Sequence, residues 1–417
     1  MSVPSLTDAV RSLRPGDRVF MPGLSAQSGL LAGSLLAQPE VARGVTFTSV
    51  QFPGIDTVDY LALHPEARQT AFFMSPNVRA GMREGRADLL CTDYIGMAQV
   101  MQHGPAPDVA FAHLSLPDDK GMCSAGVSAD FLPLVWARAK RRVAHLNPLM
   151  PRTPGSFSVP IASLDAWSEA DSPLLSYSEP EAGELDLRIA HLAAGLIRDG
   201  DTLQFGIGTV PLALGTQLAQ HRRLKLHAGM VTSTMQRLWE AGALDHDARI
   251  TAGVVLGDAG LYDFASQLEP LWLTDVRHTH SVAAIGAIPR FVAVNSAVEV
   301  DLFGQVNAER AEGRLMAGAG GLPAFAQGAW ASEGGRLMIC LRATASRGTV
   351  SRIVPVLPDQ GLCTLSRHLA DTVITEHGVA ELKGLSLHQR AEALIRIAAP
   401  SHQGALQAAW SRITSNL

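Results

Sequence analysis

Residues Ile197-Arg-Asp-Gly-Asp-Thr-Leu-Gln-Phe-Gly-Ile-Gly208 read as a helix end, a turn and a strand. Upstream, Leu185, Ile189, Leu192, Leu196 and Ile197 fall at helical spacing. Gly200 stands where a helix C-cap or turn glycine belongs. Thr202-Leu-Gln-Phe then begins a strand, Gly206-Ile-Gly208 turns the chain, and Pro211 opens the next helix in its first turn. The same syntax occurs once before, at Leu13-Arg-Pro-Gly-Asp-Arg-Val-Phe-Met-Pro-Gly23. Both copies carry aliphatic-Arg-x-Gly-Asp-x-aliphatic, and they lie 184 residues apart (197 minus 13), near half of the 417-residue chain. The pattern indicates an internal duplication.

Outward from these copies, short apolar strands alternate with amphipathic helices. Strands are expected at 45–50, 71–74, 109–114, 250–255, 291–295 and 336–341. Helices are expected at 30–38, 211–219, 234–241 and 387–397. Such alternation indicates α/β layers around mostly parallel sheets. The expected architecture is two similar open α/β domains, 1–180 and 181–417. They are joined within 165–185, an acidic, Ser- and Pro-containing stretch suited to a surface linker.

Hydrophobic residues make up 47% and charged residues 18%, an ordinary globular balance, and the net charge of −5 argues against a general nucleic-acid binder. The densest basic run, Arg138, Lys140, Arg141 and Arg142, reads as a solvated helix end. Cys91, Cys123, Cys340 and Cys363 form no CxxC, so neither paired zinc ligands nor a disulfide scaffold is expected. Cys123 reads as a small buried packing residue. The N-terminus lacks signal-peptide features and no run approaches the ~20 apolar residues of a membrane span, so a cytoplasmic location is expected.

Chemistry concentrates at Phe291-Val-Ala-Val-Asn-Ser-Ala-Val-Glu-Val-Asp-Leu-Phe-Gly-Gln-Val-Asn-Ala-Glu309. On an extended strand Glu299 and Asp301 share a face, opposite Val298, Val300 and Leu302. The pair is either a solvated outer face or a carboxylate held in a cleft. Asn295, Ser296, Gln305 and Asn307, neutral hydrogen-bonding groups around the pair, favour the cleft. Downstream, Gly318, Gly320 and Gly321 form a loop that either merely turns or aims N–H groups at an oxyanion.

The Asn295–Glu309 run resembles the signature of the acetyl-CoA hydrolase/transferase family, which includes acetate and 4-hydroxybutyrate CoA-transferases. Other similar segments occur in family order: 75–79, 121–128, 147–153, 203–208, 260–264, 351–355 and 375–384. The resemblance implies two α/β domains with the active site between them and Glu299 as covalent nucleophile. It implies oxyanion-hole amides from Gly318, Gly320 and Gly321, Glu376 as a second active-site carboxylate, and Gln204, Gly206, Ile207 and Gly208 near the bound acyl-CoA. Asn307 is assigned to substrate or CoA binding. The implied reaction moves CoA between a short acyl-CoA and a carboxylic acid such as acetate, with no cofactor or metal. A homodimer or higher homo-oligomer is expected because homo-oligomers are common among soluble enzymes, and charge and hydropathy lead to no expected nucleic-acid or membrane partner. The alternatives are acyl-CoA hydrolysis and a catalytically silent CoA-binding homologue. A Rossmann dehydrogenase fits poorly, because Pro211 takes the place of the third glycine after Gly206 and Gly208.

The chain departs from the family pattern twice. His227-Ala-Gly-Met-Val-Thr-Ser-Thr-Met235 stands where many members carry His-Thr-Glu-Met and Asp-Gly, and Leu322-Pro-Ala-Phe325 replaces Gln-x-Asp-Phe. Arg79, Arg152 and Lys383 are candidates for the CoA phosphates by charge, with a surface role the more ordinary expectation. Asp301 is expected to organise the local turn.

Overall fold

The computed structural model describes residues 3–358 and 361–415. Its two duplicated corners are built alike. Gly16 has φ +93° and Gly200 φ +79°, left-handed conformations that favour glycine. In the first corner the Asp17 carboxylate accepts from the Arg14 N–H (3.0 Å) and the Arg14 carbonyl from the Asp17 N–H (3.0 Å). In the second, Asp201 accepts from the Arg198 N–H (2.8 Å) and the Arg198 carbonyl from the Asp201 N–H (3.1 Å). Each corner also holds the segment that feeds the next strand. The Asp17 carbonyl accepts from Thr46 and the Asp201 carbonyl from Lys225, both at 2.9 Å.

The first unit gathers the chain up to Ser178 with Gly229–Thr232 and Arg249–Thr279. Its sheet contains β1 (Arg18–Phe20), β2 (Thr46–Thr48), β3 (Arg68–Ala71), β4 (Ala87–Leu89), β5 (Val109–Leu114), β6 (Arg141–Leu146) and β7 (Ala166–Glu169). The order is β4-β3-β2-β1-β5-β6-β7, and every pairing is parallel. All six residues of β5 are buried, as a strand covered on both faces requires.

Three sequence expectations change here. Residues 72–74 are buried but lie beyond β3, because Ser75 and Pro76 start the helix Pro76–Arg83 immediately afterwards. Residues 166–169 are not linker but the last strand of the sheet. The basic run is not a solvated helix end. Arg138 donates to the carbonyls of Met101 and Gly104, both at 2.6 Å, closing the end of the helix Tyr94–His103, while Arg141 and Arg142 begin β6. Cys123 is fully buried in the apolar core, the packing role expected of it.

The second unit comprises Glu179–Ala228, Ser233–Ala248 and His280–Leu417. The chain thus returns twice to the first unit, and the second is not the single span 181–417. Its strands include β8 (Thr202–Phe205), β9 (Lys225–Leu226), β10 (Phe291–Ser296), β11 (Glu299–Asp301), β12 (Val306–Asn307), β13 (Arg336–Cys340), β14 (Ile353–Val354), β15 (Thr372–Thr375) and β16 (Gly378–Glu381). The main sheet runs β9-β8-β10-β13-β15-β16, parallel except for the terminal β15–β16 hairpin. Phe291, Leu337, Ile339 and Val373 from this sheet meet Leu394 and Trp410 of the C-terminal helices in one core.

The two corners open onto equivalent strands. β1 lies between β2 and β5, and β8 lies between β9 and β10. In each unit the first strand pairs with the next strand on one side and with a later one on the other, which supports the duplication. Among the described residues no helix is long and apolar enough to cross a membrane.

Candidate active site

In open parallel sheets, ligands bind beyond the carboxyl ends of the strands. In the second unit four such ends are adjacent: β8, β10, β13 and β15. They deliver Gln204–Gly208, the Ser296–Glu299 segment, Ala343 and Glu376 to one edge. Gly318–Gly321 precede the helix Leu322–Ala331, which leads back to β13. A crossover helix runs antiparallel to its strands, so its N-terminus belongs to this same edge. The residues singled out from the sequence on β8, β10 and β15 and in the glycine loop therefore converge.

Glu299 begins β11, which pairs antiparallel with β12 and parallel with β14. Val300 and Leu302 are buried in the core and Glu299 is half-buried. Asp301 is fully buried and makes the turn, as expected. Its carboxylate accepts from the N–H of Phe303 (3.0 Å), Gln305 (2.8 Å) and Leu357 (3.3 Å) and from Nε2 of Gln305 (2.7 Å).

Asn307 stands opposite Glu299 in the register. Its Nδ2 donates to Oε1 of Glu299 and to the Arg310 carbonyl, both at 2.8 Å, and its Oδ1 accepts from the N–H of Glu309 (3.0 Å) and Arg310 (2.9 Å). An asparagine side chain offers two donors and two acceptor positions. All four are used here, so none is left to bind substrate directly.

Glu376 connects to this strand through the backbone. Its Oε2 accepts from the Ala343 N–H (2.8 Å), the Ala343 carbonyl from Arg352 (2.9 Å), and the Arg352 carbonyl from Val300 (2.9 Å). Two strand spacings put Glu376 on the order of 10 Å from the Glu299 strand. A further tie was invisible in the sequence. Arg342 grips Asp186 with two bonds (3.0 and 2.7 Å), and Asp186 also bonds Thr209, the first residue of the helix after Gly208. Burial pushes the Asp186 carboxyl up, but the bonds from Arg342 and Gly183 outweigh it and hold it below the usual range. The loops after β8 and β13 are thereby joined. Gln204 is buried and its Oε1 accepts from Asn295 Nδ2 (2.9 Å), while Gly208 has φ +124°.

The residues that border the two departures from the family pattern, His227 and Phe325, join one buried aromatic cluster. His227 meets Phe291 edge-on (6.1 Å), and Phe325 packs on His280 (4.6 Å) and Phe291 (6.4 Å). Burial, then the neighbouring His227, drives the His280 pKa down to about 3, so its ring is neutral at physiological pH. Leu322 and Ala324 are buried in the first helical turn.

Arg152 bonds the Asp118 carboxylate (2.8 Å) and the carbonyls of Leu116 and Met122. Lys383 lies over the Trp330 ring at 4.8 Å. Arg79 lies on the helix Pro76–Arg83.

Residues 3–173 match the acetyl-CoA hydrolase/transferase N-terminal domain, and residues 257–410 match its C-terminal domain. The 4-hydroxybutyrate coenzyme A transferase of Clostridium kluyveri is 35% identical over 346 residues, 81% of each chain. The succinyl-CoA:cyclohexane-1-carboxylate CoA transferase of Geobacter metallireducens is 29% identical over 99% of this chain and 95% of its own. The structure of a 4-hydroxybutyrate CoA-transferase from Porphyromonas gingivalis superposes with a TM-score of 0.81 at 29% identity, covering 99% of this chain and 97% of that one. RipA from Yersinia pestis shares the fold, with a TM-score of 0.90 at 24% identity over 98% of this chain and 97% of its own. The chain is therefore an enzyme of the acetyl-CoA hydrolase/transferase family.

Proposed function

We propose that the protein transfers CoA between a short-chain acyl-CoA and a free carboxylic acid, with Glu299 as covalent nucleophile. The observation that carries this reading is the placement of Glu299. One of its oxygens is held by a buried amide, at a sheet edge shared with the N-terminus of a glycine-led helix. The reading is further supported by relatives named as CoA-transferases acting on 4-hydroxybutyrate and on butyryl-CoA with acetate.

The carboxylate attacks the thioester carbonyl, the C–S bond breaks, and an acyl-glutamyl anhydride forms with release of CoA thiolate. The thiolate then attacks the glutamyl carbonyl, giving a glutamyl-CoA thioester and free acid. A second acid reverses both steps. One difficult exchange is divided into easier ones, and the thioester's free energy is conserved. Each addition builds an oxyanion. Backbone N–H groups of the Gly318–Gly321 loop are suited to the one on the acyl group, where losing a donor typically costs about 3–4 kcal/mol. The steps as written need only the protein and its two substrates.

The test is intact-mass measurement after rapid quenching with acetyl-, butyryl- and 4-hydroxybutyryl-CoA, followed by peptide mapping. The expected adduct is CoA minus water on the Glu299 peptide, with turnover that depends on an added acid. CoA release without added acid would reassign the protein as a hydrolase. Unchanged turnover in Glu299→Ala would exclude the mechanism, whereas the expected loss is on the order of 10³-fold or more.

A further inference from the structure

The glutamyl route contains two kinds of oxyanion, on two different carbonyl carbons. In the first addition the charge forms on the acyl oxygen. In the second, thiolate attack on the anhydride, it forms on an oxygen of Glu299 itself. A donor set placed for the first does not serve the second, so something must hold the enzyme's own oxygen.

Resting on the glutamyl reading above, we propose that Asn307 is a catalytic residue. Its Nδ2–H fixes Oε1 of Glu299 while the other oxygen attacks, and then stabilises the charge on Oε1 when the glutamyl carbon is attacked. The bonds balance at each step. Attack joins Oε2 to the acyl carbon and expels thiolate. The returning thiolate forms a C–S bond at Cδ of Glu299, placing the negative charge on Oε1. Collapse breaks the Cδ–Oε2 bond, and Oε2 leaves within the released carboxylate. Oε1 is therefore a carbonyl oxygen in both covalent intermediates.

Three observations support this assignment. The Nδ2–Oε1 distance is 2.8 Å before any substrate arrives. The amide cannot be turned over, because Oδ1 faces two N–H donors and Nδ2 faces a carboxylate and a carbonyl. Asn307 is fully buried, so water does not compete for the bond. A donor fixed in advance is the arrangement that stabilises a developing charge without reorganisation.

The experiment compares Asn307→Ala and Asn307→Asp with the wild type. It records melting temperature, KM for acyl-CoA, kcat, and the rapid-quench rate of CoA-adduct formation on Glu299. The expected result is a kcat and an adduct rate lower by about 10²-fold or more, with KM within about threefold. If Asn307→Ala melts early, Asn307→Asp decides. It keeps the acceptor for Glu309 and Arg310 and loses the donor. A kcat within about threefold of wild type in Asn307→Asp, or a loss confined to KM, overturns the assignment. A wild-type enzyme that forms no adduct overturns the glutamyl route and this inference with it, and that control separates the two failures.

Discussion

The His280 imidazole occupies the space that a side chain on residue 321 would need. A β-carbon there would lie 2.5 Å from Nε2 and 2.8 Å from Cδ2 of His280. The backbone at Gly321 is ordinary, with φ −84°, whereas the neighbouring Gly320 has φ +60°. Glycine is thus favoured at 320 by dihedral angle and required at 321 by packing. Gly321→Ala is expected to cost about 1–3 kcal/mol by overpacking. Adding His280→Ala should recover part of that loss, because the two residues share one space. Urea denaturation of the two single variants and the double variant measures the coupling, and strict additivity would refute it.

Glu376 separates into a structural and a chemical contribution. Glu376→Ala leaves the buried Ala343 N–H without its acceptor, which costs about 1–3 kcal/mol. Glu376→Gln retains an acceptor oxygen and should unfold close to wild type. Parallel melting and turnover measurements on both variants distinguish the N–H anchor from the carboxylate charge.

The turn after the Glu299 strand depends on Asp301. Asp301→Ala strands the N–H groups of Phe303 and Gln305 together, so a loss of more than about 2 kcal/mol is expected. Turnover should fall as well, since the same turn leads into Asn307. Denaturant midpoints and kcat on the one variant test both expectations.

Asp130, in the first unit, gives a pH signature. It is buried with φ +29°, and burial, then the charge of Asp275, pushes its pKa up to about 8. The unfolded carboxyl titrates near 3.8. Below that value both states carry the proton and the native state keeps the full benefit of a neutral carboxyl. As pH rises towards 8 the unfolded state loses its proton first, and stability falls by at most about 1.4 kcal/mol per pH unit. Asp130→Asn keeps the shape, tolerates the left-handed backbone and cannot titrate. Its unfolding midpoint should decline less than that of wild type between pH 4 and 8, as scanning fluorimetry across buffers would show.

The sequence resolved those features whose physics is local. The Gly-Asp corners were legible because a turn glycine and an Asp that bonds three residues back need only neighbours. The strand 109–114 was legible because a buried central strand is apolar throughout. Residues 72–74 misled for the same reason, since burial beyond the end of a strand looks like burial within it. Glu299 stood out as a carboxylate in an apolar run, and the family resemblance supplied the role proposed for it. Asn307 was read as a substrate contact because nothing nearby announced that Arg310 and Glu309 would saturate it. Asp186 and Arg342 are 156 residues apart, and the clasp between them has no local trace. His280 likewise gives no hint in sequence that it would dictate glycine at 321.

The twice-built corner also has a consequence for how the protein could diversify. A strand whose starting point is pinned by four residues does not depend on the residues beyond its far end. The first copy continues into Met21-Pro-Gly-Leu24, where Leu24 is itself held at φ +52°. The second continues into Gly206-Ile-Gly208 and a helix. Inheritance could therefore keep the foundations of both halves while rewriting their rims independently, so one ancestral frame was free to acquire two unlike mouths.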